Sequence, residues 1–445
     1  SLPFQLTRSQ AKALEEILSD LRSPRPMSRL LHGDVGSGKT VVATVAMLQA
    51  AASGTQAALM VPTEILAEQH FRNISLLLGR APDRDTICAI SSVMGRPITL
   101  GLLTGSLREK GKKELHGQIA EGRVDIVIGT QALIQEKVIF KQLGLVIVDE
   151  EHRFGVMQRM ALRQKGVSPH MLVMSATPIP RTLALTLYGD LDISLMDELP
   201  PGRQHIETRW LAPQERASGY EFVRKQIAQG RQAYVICPLI EESEAVEARA
   251  ATAEYERLSK GIFPDLRLGL LHGRMSAREK DEIMRQFQEG QINILVSTSV
   301  VEVGIDVPNA TVILIEGADR FGLSQLHQFR GRVWRSRYQS YCLLLADNPS
   351  PEGKERLEAM ELTENGFVLA EKDLEMRGPG DFFGTRQSGL PDLKIARLTD
   401  VPLLEMARRE ALHLFESDPK LENPEHRALA AEVARLWNRA DAPPG

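Results

Sequence analysis

Cysteine is scarce in this chain: Cys88, Cys237 and Cys342 are its three thiols, and they lie far apart. That spacing excludes a disulfide framework and offers no paired metal ligands. A reducing, cytosolic setting is therefore expected, with each thiol a small buried hydrophobe. No apolar run is long enough to cross a bilayer and no secretory signal opens the sequence, so neither membrane spanning nor export is expected. Excess positive charge is also lacking, since 54 Lys and Arg face 58 Asp and Glu, a net charge of −4. This excludes a globally basic nucleic-acid binder but not a local basic groove. One small cluster, Arg108 to Lys113, holds four cations and one acid, and such clusters are more often solvated surface than binding sites. An initiator methionine is missing. The chain starts at Ser1 and its motifs begin almost at once, so a piece cut from a larger protein is expected.

What is present is an ordinary globular composition, 43% hydrophobic and 25% charged, over 445 residues. That length exceeds one core and predicts two or three domains. Short apolar strands alternate with helix-like stretches: 57–61, 126–128, 145–148 and 171–174 in the first half, then 233–237, 268–271, 292–296, 312–315 and 341–345. Continuous apolar strands flanked by helices predict parallel sheets covered on both faces, hence an α/β fold. The segment Asp197 to Arg203 carries two prolines and a glycine and reads as a hinge. After Ala346 the strands stop. Residues 353–373 and 403–437 read as helical around a glycine-rich stretch, 377–391. The expected division is 1–203, 204–350, 351–400 and 401–445.

The most specific local signal is Gly33-Asp34-Val35-Gly36-Ser37-Gly38-Lys39-Thr40. Its glycines let backbone N–H groups approach a polyphosphate, Lys39 can reach the β- and γ-phosphates, and Thr40 can sit on Mg²⁺. Leu30-Leu31 before it and Val41 to Leu48 after it supply the strand and the helix such a loop needs. Asp149-Glu150-Glu151-His152 follows another strand, and a carboxylate there faces the loop across the switch crevice of an open sheet. Asp149 would hold Mg²⁺ and Glu150 would activate water. Ser175-Ala176-Thr177 ends the next strand and could link the nucleotide to domain motion. In the second half, Thr298 to Asp306 offers a hydroxyl, Gly304 and a carboxylate at a strand end; an ordinary strand-to-helix loop reads the same way. Gln328 to Arg335 places Arg332 and Arg335 on one face if helical. They could act as arginine fingers, although on spacing alone a solvated basic helix is the favoured reading.

These segments resemble, in order, the motifs of superfamily 2 helicases. The resemblance makes Gln10 the reader of adenine, alongside Gly33, Gly36, Ser37, Gly38, Lys39, Thr40, Gly304 and Asp306 around ATP and Mg²⁺. It makes Thr63 and Glu64, Gly105, Thr130 and Gln131 contacts to a DNA strand, with Ser175, Thr177, Thr298 and Gln328 as DNA-binding or coupling residues. His152-Arg153-Phe154-Gly155-Val156 is shared by RecG and the transcription-repair coupling translocase. Glu198 to Arg203 and Gly378 to Gly389 favour the RecG family, for which Arg356, Arg377 and Gln387 look like coupling residues of a translocation hairpin and loop.

The resemblance implies two tandem RecA-like parallel-sheet motor domains followed by a mostly helical C-terminal region. It implies an ATP-driven translocase on double-stranded and branched DNA, reversing stalled forks and migrating junctions. It further implies a bacterial, nucleoid-associated monomer, with single-stranded DNA-binding protein as a further partner. The wedge half that grips branched DNA in this family is not in the sequence, so fork selectivity is expected to be weak. One position departs from the family pattern, which has glycine where this chain has Trp334. That departure keeps open an ATP-regulated DNA clamp with little productive hydrolysis. A motor recruited to stalled RNA polymerase would need a binding module that is not in the sequence.

Overall fold

The computed structural model describes residues 4–80, 86–90, 96–150, 154, 156–180, 184, 191–200, 204–238, 244–298, 307–334, 338–377 and 401–440. The chain divides into two compact units, one of residues 1–178 with 191–369 and one of 179–190 with 370–445.

The larger unit contains two sheets. The first has the order β3-β4-β5-β2-β6-β7-β1-β8. Its strands are β1 (Ser28–Gly33), β2 (Gln56–Met60), β3 (Ile87–Ile90), β4 (Ile98–Leu103), β5 (Ile126–Gly129), β6 (Leu143–Asp149), β7 (His170–Ser175) and β8 (Asp192–Met196). Neighbours run parallel except the β3–β4 pair at one edge. Alternation along the strands builds a core on each face. Ala57, Leu59, Leu145 and Ile147 pack on one side, and Ala58, Met60, Val146 and Val148 on the other.

The second sheet, β11-β12-β10-β13-β14-β9, is parallel throughout. Its strands are β9 (Ile206–Leu211), β10 (Gln232–Ile236), β11 (Leu268–Leu271), β12 (Ile294–Ser297), β13 (Ala310–Ile315) and β14 (Ser340–Leu345). Ala233, Val235, Ile294, Val296, Val312 and Leu314 form its main core. Helix Pro351–Leu362 follows; helix Gly366–Arg377 has residues 366–369 in this unit and 370–377 in the smaller one.

The smaller unit contains helices Val401–Ser417 and Arg427–Ala440. The Asp418 carboxylate pins the turn between them, accepting from the Glu422 and Asn423 amides at 3.0 Å and meeting His426 Nδ1 at 2.7 Å.

Every apolar run read from the sequence is a strand. Four others, β3, β4, β8 and β9, were not anticipated. Three of these lie at sheet edges, with a neighbour on one flank only among the described strands, and the burial pattern alternates in β3 and β8. All three cysteines are buried, and burial pushes the Cys342 thiol up to about 12. Among the described residues no helix is long and apolar enough to cross a membrane.

Candidate active site

One edge of the first sheet carries the expected chemistry. Because β4, β5, β2, β6, β7 and β1 are parallel neighbours, their C-terminal ends lie side by side. Along that edge stand Thr104-Gly105, Thr130-Gln131, Thr63-Glu64, Asp149-Glu150, Ser175 to Thr177 and the phosphate loop.

The loop joins β1 to helix α2 (Lys39–Ala52). Gly36 and Gly38 adopt φ of 72° and 88°, the left-handed region open mainly to glycine. At Gly38 a Cβ would also lie 2.4 Å from Gln10 Nε2, so a larger residue would displace that side chain. Gln10 belongs to helix α1 (Arg8–Arg22), which opens with a capping box. Its Oε1 accepts from the Thr7 amide at 2.9 Å, while its Nε2 donates to the Ser37 carbonyl at 2.8 Å. The side chain expected to read adenine thus also braces the loop. Lys39 is buried and donates to the carbonyls of Gly33 at 2.7 Å and Asp34 at 2.9 Å.

A cavity of about 230 Å³ opens beside the loop, lined by Lys39, Thr40, His70, Asp149, Glu150 and Ala176 among others. Asp149 ends β6 and accepts the Glu150 amide at 3.0 Å and His70 Nε2–H at 2.9 Å. Glu150 takes φ 52°, a strained backbone for a non-glycine residue and one common where side chains are aimed at a reaction. Burial works to raise the Asp149 pKa, but the hydrogen bond and charge of His70, with Lys39 and the Glu150 amide, hold it below the usual carboxylate range. The donor set suits ATP and Mg²⁺: an ionised carboxylate, a hydroxyl and a lysine face one cavity at the head of a helix.

His70 was missed by sequence reading. It lies on helix α3 (Glu64–Leu77), whose first turn follows Thr63. The helix expected to grip DNA thereby reaches the carboxylate expected to hold the metal. At its N-terminus Thr63 Oγ1 accepts from the Leu66 amide at 3.4 Å. Glu64 Oε1 accepts from the Ser106 amide at 2.9 Å, tying this segment to the one that follows β4. Thr130 is buried and Gln131 exposed.

The second sheet contributes helix Leu323–Arg330. Gln328 Nε2 donates to Thr177 Oγ1 at 2.9 Å, joining the segment after β7 to this helix, and the neighbouring Ser175 is buried. The helix ends at Arg330, where the Gly331 amide donates to the His327 carbonyl, so it stops short of Arg332. Arg332 lies in the turn beyond, buried at 5% exposure. Arg335, Gly304 and Asp306 lie outside the described residues, as does Gln387. Arg377 ends its helix, with its side chain outside the description. Thr298, after β12, is buried at 1% exposure. Arg356 donates to the Phe321 carbonyl at 3.0 Å, just ahead of the 323–330 helix.

His32 sits at the end of β1 and its Nε2 donates to the Thr177 carbonyl at 3.1 Å. Burial lowers its pKa from 6.5 to about 4. Between those values the unfolded chain binds a proton that the folded chain refuses. Stability therefore rises with pH across the window and is lost as pH falls through it, by roughly 2–3 kcal/mol by pH 4.5. Chemical denaturation of wild type and His32→Asn at pH 7 and 4.5 measures this. The variant should lose less stability on acidification, and an equal loss would refute the assignment.

A phosphate loop, a carboxylate strand end and a second parallel sheet whose 323–330 helix hydrogen-bonds to the same edge place the chain in the class of two-sheet, phosphate-loop nucleotide-binding proteins. The chain matches the family models DEAD/DEAH box helicase over residues 7–186, Helicase conserved C-terminal domain over 218–337, and ATP-dependent DNA helicase RecG, domain 3, C-terminal, over 363–440. It is 51% identical over 422 residues to ATP-dependent DNA helicase RecG of Synechocystis sp., covering 95% of this chain and 49% of that protein. It is 50% identical over 436 residues to the Bacillus subtilis protein of the same name, covering 98% and 62%. A solved structure of RecG bound to a three-way DNA junction superposes with TM-score 0.74 at 46% identity, covering 91% of this chain and 51% of that one. The chain belongs to the RecG family of superfamily 2 helicases. It spans about half to three fifths of the length of the curated relatives it matches.

Proposed function

We propose that this chain is the ATP-hydrolysing motor of a translocase acting on double-stranded and branched DNA. What supports this best is the single sheet edge that lines up three segments expected to contact DNA with the nucleotide loop. The RecG relative held on a three-way junction fits the same reading. In this reading residues 1–203 and 204–350 are the motor domains, 351–400 the hairpin and translocation loop, and 401–445 a helical tail.

Loop amides and Lys39 bind the phosphates, and Gln10 selects adenine. Thr40 and Asp149 hold Mg²⁺, which when bound neutralises phosphate charge. Glu150 orients the attacking water and takes its proton. Arg332 and Arg335 approach from the second domain, with Gly304 and Asp306 beside the nucleotide. Thr63, Glu64, Gly105, Thr130, Gln131 and Thr298 grip the DNA backbone. Ser175, Thr177, Gln328, Arg356, Arg377 and Gln387 couple hydrolysis to movement. The chain works as a bacterial cytoplasmic monomer near the nucleoid, with single-stranded DNA-binding protein as a partner.

The test is ATP turnover with no DNA, single strand, duplex and a model fork. Duplex and fork should stimulate most, and stimulation should fall steeply with salt because phosphate contacts dominate. Equal rates in all four conditions would overturn the proposal.

A further inference from the structure

Asp34, the second residue of the phosphate loop, is 6% exposed, yet its carboxylate reaches residues far away in sequence. Oδ1 accepts from its own loop, at the Val35 amide, and lies 2.6 Å from His327 Nε2. Oδ2 accepts from the Gly366 amide at 3.1 Å. His327 is fully buried on the 323–330 helix, and its Nδ1 lies 3.1 Å from Arg330 Nη2. A guanidinium only donates, so Nδ1 accepts and the ring proton is on Nε2, where it donates to Asp34. Arg330, itself 0% exposed, donates through Nη1 to the carbonyls of Met360 at 2.8 Å and Thr363 at 2.9 Å. Those carbonyls close the 351–362 helix, and Gly366 opens the 366–377 helix. Asp34 thus places a carboxylate at the positive end of the second hairpin helix and, through His327 and Arg330, holds the last turn of the first.

Burial works to raise the Asp34 pKa, but His327, the Val35 amide and Lys39 together hold it below the usual range. The packing leaves no slack. A Cβ on Gly366 would lie 2.5 Å from His327 Nε2, 2.6 Å from Pro178 Cγ and 2.7 Å from Asp34 Oδ2. The Asp34 carbonyl is meanwhile held by Lys39, the side chain expected to turn to the phosphates.

We infer that Asp34, His327, Arg330 and Gly366 form a clasp by which the nucleotide state of the phosphate loop sets the position of the hairpin turn, Thr363 to Gly366. Asp34 is then a positioning residue that acts on the hairpin rather than on the nucleotide. The inference rests on the motor reading above for its purpose, but the clasp can be tested without turnover.

Hydrogen–deuterium exchange of the peptide spanning 363–369 is measured with and without a non-hydrolysable ATP analogue. In wild type the analogue should change the exchange rate by roughly tenfold, the order expected from remaking one hydrogen bond to a charged group. His327→Leu and Gly366→Ala should abolish that response. His327→Gln, which keeps one donor and one acceptor, should retain it. Asp34→Asn keeps a single acceptor oxygen and can satisfy His327 or Gly366 but not both, so its response should shrink, and adding His327→Leu should abolish what remains. An equal response in wild type and His327→Leu, or no response in wild type, would overturn the clasp. In turnover, His327→Leu should lower DNA-stimulated kcat about tenfold with KM for ATP within about twofold, whereas a merely structural role would move both. Loss of DNA stimulation in wild type with the exchange response intact would sink the motor reading and leave the clasp standing.

Discussion

Replacing Glu150 by Gln should lower ATP turnover roughly 100- to 1,000-fold while nucleotide affinity is retained, the range removal of a general base produces. Gln keeps the size of the side chain, so the strained backbone at φ 52° and the amide that donates to Asp149 can persist. What is lost is the proton acceptor lining the cavity beside the loop. Lys39→Ala should differ in kind. Lys39 braces the Gly33 and Asp34 carbonyls and is the only lysine lining the cavity among the described residues, so binding and turnover should both collapse. Phosphate release and titration with a fluorescent ATP analogue separate the two outcomes. Undiminished turnover in both variants would refute the assignment of this cavity.

Trp334→Gly restores the residue that the family pattern has, yet it should destabilise this chain by about 3–5 kcal/mol. Trp334 is 4% exposed and meets the His327 ring edge-on at a centroid distance of 6.2 Å. Truncation leaves a void and removes the support behind the ring that holds Asp34. Unfolding should shift down by roughly 10 °C, and DNA-stimulated turnover should fall with it. The clamp alternative predicts the reverse, with the indole blocking hydrolysis and its removal raising turnover. Thermal denaturation and turnover of this one variant decide between them, and a faster enzyme of unchanged stability would favour the clamp.

The sequence carried the strand-end motifs because each is local. Gly33 to Thr40 must bend, expose amides and start a helix within eight residues, and only certain residue types do that. Asp149-Glu150 and Ser175 to Thr177 were legible as polar residues ending apolar strands, and the family resemblance ordered them. The spacing of Arg332 and Arg335 gave no warning that the helix stops at Arg330. The edge strands β3, β8 and β9 were missed because one-sided pairing does not produce the continuous apolar run of a central strand.

The sequence by itself thus determined the fold class, the nucleotide loop, the acidic strand end and the family. Each depends on residues close together in the chain, where spacing maps directly onto geometry. Only the tertiary structure decided what those groups touch. His70 meets Asp149 across 79 residues, His327 meets Asp34 across 293, and Gly366 meets it across 332. Parallel strands must return by crossovers, so residues side by side at a sheet edge are far apart in sequence. A histidine with no local partner carries no pattern until folding brings it to a buried carboxylate.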